Sequence, residues 1–413
     1  MAPLLQKPLK LSWQTKLKMQ ITVVGQGYVG LPLAIAAAKS GYHVNGLDTN
    51  QHKIQAIKNG TSIIEDIADE TIKKAIDSKS YFPTIDAEVI AKSQVVLICV
   101  PTPLNSEHKP DLSALISATT TAGKHLKVGT LVIVESTIEP GTCRNVILPI
   151  LIKESGLKAS DIELAYSPER IDPTNKKWLI NNTPKLVAAL TESAAQKAES
   201  FYGKFVDSIT KCSSLEIAET AKLLENSFRL VNISFINELA IFCQKIGIDI
   251  VEVISAAATK PYGFMPFHPS VGVGGHCIPV DPIYLANAAK AIGATSRFIE
   301  LADKVNQEMP EYFVGRAEEK LGGLNNKSVL VVGVSYKPNV SDIRESPVGA
   351  LIAGLKQKGA QVSWHDDLVK EWNGEKSVAL SNDYELAIIA TPHDYLDLTR
   401  LGDVPILNTR GSI

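Results

Sequence analysis

Short apolar runs alternate along this chain with longer stretches whose apolar residues recur at helical spacing. Gln20-Ile21-Thr22-Val23-Val24 reads as a buried parallel strand. Leu31 to Ser40 is Ala-rich and helical, with Gly41 ending it, and His43 to Leu47 is the next strand. Val95 to Val100 and Leu131 to Val134 are further strands, and Ile162 to Ala165 is expected to be the last of this first unit. Ser214 to Ile246 lacks Pro and Gly, so one long helix is predicted, capped by Ser213 or Ser214 and stopped at Gly247. A second unit follows. It has strands at Ser328 to Val332, Gln361 to Trp364, Leu386 to Ala390 and Val404 to Leu407, and a helix from Pro347 to Lys358.

This pattern predicts an α/β protein: two Rossmann-like doubly wound domains joined by a long central helix. The boundaries expected are 1–18 for a loose leader, 19–212 for the first domain, 213–320 for a central helical region and 321–413 for the last domain. Between the first strand and helix lies Gly25-Gln26-Gly27-Tyr28-Val29-Gly30, and Asp48 ends the second strand. Strand, GxGxxG, helix, strand and acid form the dinucleotide fingerprint in its required context. The glycines let a pyrophosphate approach the helix N-terminus. Asp48 would accept from ribose hydroxyls and repel a 2′-phosphate, so NAD is the expected cofactor. Thr102 and Thr137, beyond the carboxyl ends of two strands, are candidate cofactor contacts by position, though each alone reads as an ordinary turn residue. The second unit shows no GxGxxG.

Composition narrows the partners. The net charge is −2, so a nucleic-acid or membrane-surface partner is not expected. No apolar run reaches the roughly 20 residues a membrane-spanning helix needs. Five scattered cysteines without a CxxC argue against a disulfide framework or zinc ribbon and suggest a reducing cytoplasm.

One cysteine differs from the others. Gly274-Gly275-His276-Cys277-Ile278-Pro279-Val280-Asp281-Pro282 places a thiol on a tight glycine turn with a carboxylate four residues on. Pro279 and Pro282 argue against a regular helix there. Lys222, Asn226 and Arg229 share a face of the long helix. Such a face is ordinarily solvated, and it could equally line a cleft between domains.

In order along the chain, these motifs resemble the UDP-glucose/GDP-mannose dehydrogenase family. The further matches are Glu135-Ser136-Thr137 with Pro140-Gly141-Thr142, Ser167-Pro168-Glu169-Arg170, and Lys337 with Asp342 to Pro347. The resemblance implies a first domain that binds NAD, a central region that dimerises and carries the active site, and a last domain that binds the UDP-sugar. It implies NAD-dependent, two-step oxidation of a sugar C6 alcohol to a carboxylate through a thiohemiacetal and a thioester on Cys277. In this reading a nearby cation favours the thiolate, Lys222 stabilises the oxyanion and Asn226 donates a hydrogen bond. Asp281 and Glu169 are the carboxylates for proton transfer, their division of labour left open. Tyr28, Val29, Asp48, Lys53, Thr102, Thr137 and Arg344 are implied cofactor contacts. Arg170, Ile171, Arg229, Gly274, Tyr336 and Lys337 are implied substrate contacts. His276 and Val280 depart from the lysine-bearing loop of the UDP-glucose enzymes and resemble the UDP-N-acetylhexosamine branch. Lys260-Pro261-Tyr262 and Ser167 to Pro173 look like the UDP-N-acetylglucosamine type, which makes Lys260 and Tyr262 substrate-site candidates. UDP-N-acetylmannosamine, then UDP-glucose, are the alternatives. The implied product is a uronic acid for surface polysaccharide, and the implied assembly is a homodimer.

Three rival classes make different predictions. A one-step hydroxyacid-type dehydrogenase needs no cysteine. A metal enzyme would use His276, Cys277 and Asp281, but adjacent His and Cys side chains rarely face one ion, so no metal is expected. A sugar-nucleotide binding protein would leave Cys277, Lys222 and Asp281 without a task.

Overall fold

A computed structural model describes residues 19–64, 67–172 and 175–411. The leader and Pro173 lie outside these. The first unit is built from β1 (Gln20–Val24), α1 (Gly30–Lys39), β2 (His43–Leu47), α2 (Gln51–Lys58), α3 (Asp69–Asp77), β3 (Tyr81–Thr84), β4 (Val95–Ile98), α4 (Ser113–His125), β5 (Leu131–Val134), α5 (Leu148–Ser155), β6 (Glu163–Tyr166), β7 (Lys185–Ala189), α6 (Glu192–Tyr202) and β8 (Ile209–Lys211). The sheet order is β3-β2-β1-β4-β5-β6-β7-β8. The order reverses between β1 and β4, so the ends of those strands open the crevice where such sheets bind ligands.

Both faces of this sheet are covered. Ile21, Val23, Leu97 and Ile133 pack into one core with α1 and α6 residues. Val24, Val96, Ile98, Val132 and Val134 pack into another with α4 and α5 residues. This two-sided burial is why these strands read as unbroken apolar runs rather than alternating ones.

The sheet does not end at Ile162 to Ala165 as expected. β7 and β8 extend it, and β7 pairs antiparallel to β6. Their sequences hide this: β7 opens with a charged Lys185, and β8 is short and largely exposed. That extension places Lys185 inside the molecule, where it is 5% exposed.

The helix α7 (Leu215–Ile246) is capped by the Ser214 hydroxyl and ends at Gly247 in the left-handed conformation, as its sequence signals. It is followed by α8 (Ile250–Ala258), α9 (Asp281–Ala291) and α10 (Arg297–Leu321). The prolines beyond Cys277 do not prevent a helix. Asp281 opens α9, and Pro282 sits in its first turn, where a missing N–H costs nothing.

The second unit contains β9 (Ser328–Val332), α11 (Val348–Gln357), β10 (Gln361–His365), a small hairpin of β11 (Glu371–Trp372) and β12 (Glu375–Lys376), then β13 (Leu386–Ile389) and β14 (Ile406–Asn408). Its parallel sheet has the order β10-β9-β13-β14. Helices α10 and α11 cover one face. The other is closed by connecting segments through Val378, Leu380, Leu401 and Val404. Among the described residues no helix is long and apolar enough to cross a membrane.

Candidate active site

The turn after β1 is set by backbone proximity. Gly25 has φ +93°, and a Cβ there would lie 2.5 Å from the Cys99 carbonyl oxygen of β4. A Cβ on Gly30 would meet the Gly25 carbonyl oxygen at 1.8 Å. Gly27 faces open space, so the turn is tight beneath and clear above. Asp48, at the end of β2, accepts from the Gln26 amide at 2.8 Å, the Asn50 amide at 2.9 Å and Lys53 Nζ at 2.8 Å. Burial pulls the Asp48 carboxyl upward, but the hydrogen bonds from Lys53, Asn50 and Gln26 outweigh it and hold it below its ordinary value. A fixed anion beside an open glycine turn fits the adenosine end of NAD. Tyr28 and Val29 complete the turn, Tyr28 being exposed.

Thr102 and Thr137 follow β4 and β5 on the rim of the same crevice. The Thr102 carbonyl accepts the Tyr284 hydroxyl of α9 at 3.0 Å, and Asn287 of α9 donates to Glu139 at 2.6 Å. These two bonds tie the cofactor rim to the helix that begins with Asp281.

The Cys277 loop is threaded through the second unit. Gly275 has φ +85°, and a Cβ there would meet the Tyr336 ring at 2.6 Å. A Cβ on Gly274 would meet the Glu345 carbonyl oxygen at 2.5 Å. The Gly275 amide donates to the Arg344 carbonyl at 3.1 Å. Cys277 is exposed in this cleft, unlike Cys99, Cys143 and Cys243, which are buried.

Four residues on, Asp281 is only 2% exposed. Asn226 Nδ2 donates to its Oδ2 at 2.6 Å, and Lys222 Nζ lies 3.9 Å from the same oxygen. The helical spacing of Lys222 and Asn226 thus brings both to one carboxylate. Burial pushes Asp281 from 3.8 up to about 6, against the pull of Lys222 and Asn226. Cys277 keeps an exposed edge, yet the cleft around it desolvates the thiol; this and Asp281 push it up, and Lys222, Arg229 and Arg344 pull it back only in part. The cations pull toward the thiolate as expected, while desolvation and the Asp281 charge push the other way.

Glu169 joins the cluster from the loop after β6. Its Oε1 accepts the amides of Arg170 at 2.6 Å and Ile171 at 2.7 Å. Burial pulls the carboxyl upward, yet Lys185, the two amides and Lys222 hold it below its ordinary value. Lys222 is thus electrostatically coupled to Asp281, Cys277 and Glu169 together.

The cations expected to contact cofactor or substrate are engaged with carboxylates. Arg170 pairs with Glu225 at 2.6 Å, Lys337 with Asp172 at 2.7 Å, and Arg344 with Asp342 at 2.5 Å. Lys337 joins the second unit to the Glu169 loop, and Tyr336 walls the Cys277 loop. Lys260 and Tyr262 pair with each other at 5.0 Å on an exposed loop after α8. His276 is half-buried, with its imidazole pushed down by burial and by Arg344.

Several buried groups escaped the sequence reading. Glu219 of α7 accepts the Gly141 amide at 2.5 Å and the Cys143 amide at 3.0 Å, fixing the Pro140-Gly141-Thr142 turn to the long helix. The signal is an acid three residues before Lys222 and seven before Asn226, on the face those two share. Glu135 and Lys185 pair at 2.6 Å, and Glu135 also accepts the Tyr202 hydroxyl. Nothing local marks this group, because its members lie on β5, β7 and α6.

A nucleotide crevice facing a cysteine cleft closed by a second parallel sheet defines an NAD-dependent oxidoreductase of two Rossmann-like units. Sequence comparison places the chain more narrowly: it belongs to the UDP-glucose/GDP-mannose dehydrogenase family. Residues 19–206 match that family's NAD binding domain, 216–308 its central domain and 330–407 its UDP binding domain. The chain is 35% identical over 380 residues to UDP-N-acetyl-D-glucosamine 6-dehydrogenase of Pseudomonas aeruginosa, covering 91% of this chain and 87% of that one. It is also 35% identical over 383 residues to UDP-N-acetyl-D-mannosamine dehydrogenase of Pyrococcus horikoshii, covering 89% and 90%. The solved structure of a UDP-ManNAc dehydrogenase from Pyrococcus horikoshii superposes with a TM-score of 0.87 at 32% identity, covering 95% of each chain. A UDP-glucose dehydrogenase from Pyrobaculum islandicum superposes with a TM-score of 0.88 at 26% identity, covering 97% and 96%. The chain is thus an NAD-dependent nucleotide-sugar dehydrogenase.

Proposed function

We propose that this enzyme oxidises the C6 alcohol of UDP-N-acetyl-D-glucosamine to the uronic acid, in two steps, through Cys277. The observation that carries the reading is the grouping of an exposed thiol with Asp281, Lys222 and Asn226 at one end of the cleft. Bound NAD supplies the hydride acceptor, twice per sugar. Asp48 holds the adenosine ribose, and the turn of Gly25, Gly27, Tyr28, Val29 and Gly30 takes the pyrophosphate, with Lys53, Thr102, Thr137 and Arg344 around it.

Asp281, poised at about 6, takes the proton lost by the alcohol and passes it to water; it then takes the thiol proton, hands it to the thiohemiacetal oxygen and takes it back as that carbon is oxidised. The Cys277 sulfur adds to the aldehyde, giving a thiohemiacetal whose oxidation leaves a thioester. Lys222 and Asn226 face the oxygen on which charge develops. Glu169, held as a carboxylate, takes a proton from water as that water attacks the acyl carbon; the C–S bond breaks and the carboxylate product leaves. The UDP moiety is assigned to the last unit, with Lys337 and Tyr336 at its entrance and Arg170, Ile171, Arg229 and Gly274 around the sugar. The division at 19–212, 213–320 and 321–413 follows these tasks.

The choice of sugar rests on Lys260-Pro261-Tyr262 and on His276 and Val280. Relatives named for the glucosamine and mannosamine epimers are equally similar, so UDP-N-acetyl-D-mannosamine is the second reading. A uronic acid of this kind suits surface polysaccharide, and a thiol-dependent reaction suits a reducing cytoplasm. The working unit is a homodimer. Ile217, Leu224, Phe228, Phe235, Phe242 and Ile246 are exposed at spacings of seven or four along α7, a stripe fit for a second copy.

The test is the NADH yield per sugar at completion, for wild type and Cys277→Ser. Two NADH from wild type, with negligible turnover in the variant, supports the thioester route. One NADH, unchanged in the variant, makes the loop structural and overturns it.

A further inference from the structure

The reaction as written leaves a buried ionic cluster unused. Lys185 of β7 sits beneath the cleft with Nζ 2.6 Å from Glu135 Oε2 and 3.5 Å from Glu169 Oε2, and it donates to the Pro168 carbonyl at 3.3 Å. The Glu135 side chain is fully enclosed and also accepts the Tyr202 hydroxyl of α6. The Lys185 ammonium lies 5.3 Å from the centroid of the Tyr202 ring. Three elements therefore fix one cation at one point.

Two carboxylates share that cation, so the cluster must settle which of them keeps the charge. Glu135 is the more enclosed, and burial pushes it up to about 7 despite Lys185. Glu169 is the one held below its ordinary value. The charged groups facing Glu169 are Lys185 from β7, Glu135 from the end of β5 and Lys222 from α7. The Arg170 guanidinium is turned to Glu225, and the Cys99 thiol of β4, which faces the same cluster, is pushed well up by burial and by Glu135. A small cleft adjoins the pair, lined by Glu169, Lys185, Arg170, Ile171 and Thr183 among others. The Thr183 hydroxyl oxygen is buried there without a hydrogen-bond partner among the described residues.

We propose that Lys185 is a positioning residue for the hydrolytic half of the reaction: with Glu135 and Tyr202 it holds Glu169 as an oriented carboxylate that accepts the proton of the attacking water. This rests on the thioester reading above. Water oxygen bonds to the acyl carbon, its proton passes to Glu169, the C–S bond breaks, and Cys277 leaves as the thiolate. Lys185 touches neither sugar nor cofactor in this scheme. Its loss should spare both oxidations and stall the last step.

The test is a quenched time course with the full-length enzyme, NAD and UDP-N-acetylglucosamine, reading NADH formed and the mass of Cys277. Lys185→Met should form NADH in a burst and accumulate an acylated Cys277, with steady turnover down by roughly 10- to 100-fold. The acid limb of its hydrolysis should move to higher pH, because Glu169 has lost its nearest cation. Lys185→Arg, which keeps the cation, should restore turnover. The double variant Lys185→Met/Glu135→Gln removes the Glu135 charge together with its partner and should stall in the same way while folding normally. Hydrolysis at the wild-type rate in the double variant would overturn the proposal, as would equal loss of the burst and the steady rate with an unmoved pH profile. If wild type itself yields one NADH per sugar and no adduct, the thioester reading fails and the proposal with it.

Discussion

The Arg344 guanidinium lies 4.5 Å from the centre of the Tyr28 ring, while its own carbonyl accepts the Gly275 amide at 3.1 Å. One residue of the last unit therefore touches both the nucleotide turn of the first unit and the cysteine loop. Asp342 holds the guanidinium in place at 2.5 Å. A charge-assisted contact to a cofactor phosphate at this point would be worth about 1.5–3 kcal/mol. Arg344→Ala should accordingly raise the KM for NAD by roughly 10- to 100-fold. Initial rates at varied NAD, with sugar saturating, check this. An unchanged KM would restrict Arg344 to a structural clamp.

Asp281 links activity to stability through its charge. Its carboxyl is pushed from 3.8 up to about 6 in the folded chain. The folded state therefore binds a proton that the unfolded state has released. The sign follows directly: stability from this group is fully present below pH about 4 and is lost as pH rises through about 6, a loss of about 3 kcal/mol above that. Asp281→Asn removes this pH-dependent penalty but leaves the buried Lys222 without its partner, a cost that offsets the gain at pH 8. Melting curves should show the stability of the variant relative to wild type rising from pH 4 to pH 8, since only wild type loses the Asp281 contribution over that range. Its turnover should fall by at least about 100-fold.

The parts of this site that were legible in the sequence are those whose spacing is local. Gly25 to Gly30 with Asp48 follow strand and helix signals directly, and Lys222 and Asn226 meet Asp281 because helical spacing aligns them. Ser214 and Gly247 bound α7 by the ordinary chemistry of helix ends. The Glu135–Lys185–Tyr202 group was not legible, since a charged residue at the head of a short strand reads as an edge. Only the antiparallel addition of β7 to the sheet makes Lys185 interior. The start of α9 was misread for a related reason. Pro282 reads as a helix breaker, although in the first turn of α9 it breaks nothing.

Gly275 is held between its own backbone conformation and the Tyr336 ring. An alanine there incurs roughly 1–2 kcal/mol for the left-handed conformation. It also drives a methyl to 2.6 Å from the ring, so the loop must shift. A displacement near 1 Å at the nucleophile costs on the order of 100-fold in rate. Gly275→Ala should therefore lower kcat by about that factor and lower Tm by several degrees. Adding Tyr336→Ala should recover part of the Tm, because it removes the clash and leaves only the backbone cost. Thermal melts of the single and double variants separate the two contributions. A double variant no more stable than Gly275→Ala would show that the ring does not limit the loop.

The α7 stripe makes a prediction independent of the chemistry. Phe235 is 61% exposed and Leu224 60% exposed, on a helix of 32 residues. Such a helix is about 48 Å long, so its stripe runs far beyond the Lys222–Asn226 turn that serves the cleft. Apolar positions repeating every seven residues suit the seam between two packed helices, and water is a poor partner for that much contiguous apolar surface. A second copy would cover it, with Phe235 near the middle of the contact. Phe235→Asp puts a charge at that point, where desolvation without a partner costs several kcal/mol. Light scattering at micromolar concentration should give a dimer for wild type and a monomer for the variant. Wild type running as a monomer would leave the stripe without this partner, whereas a dimeric Phe235→Asp would move the seam elsewhere on the molecule.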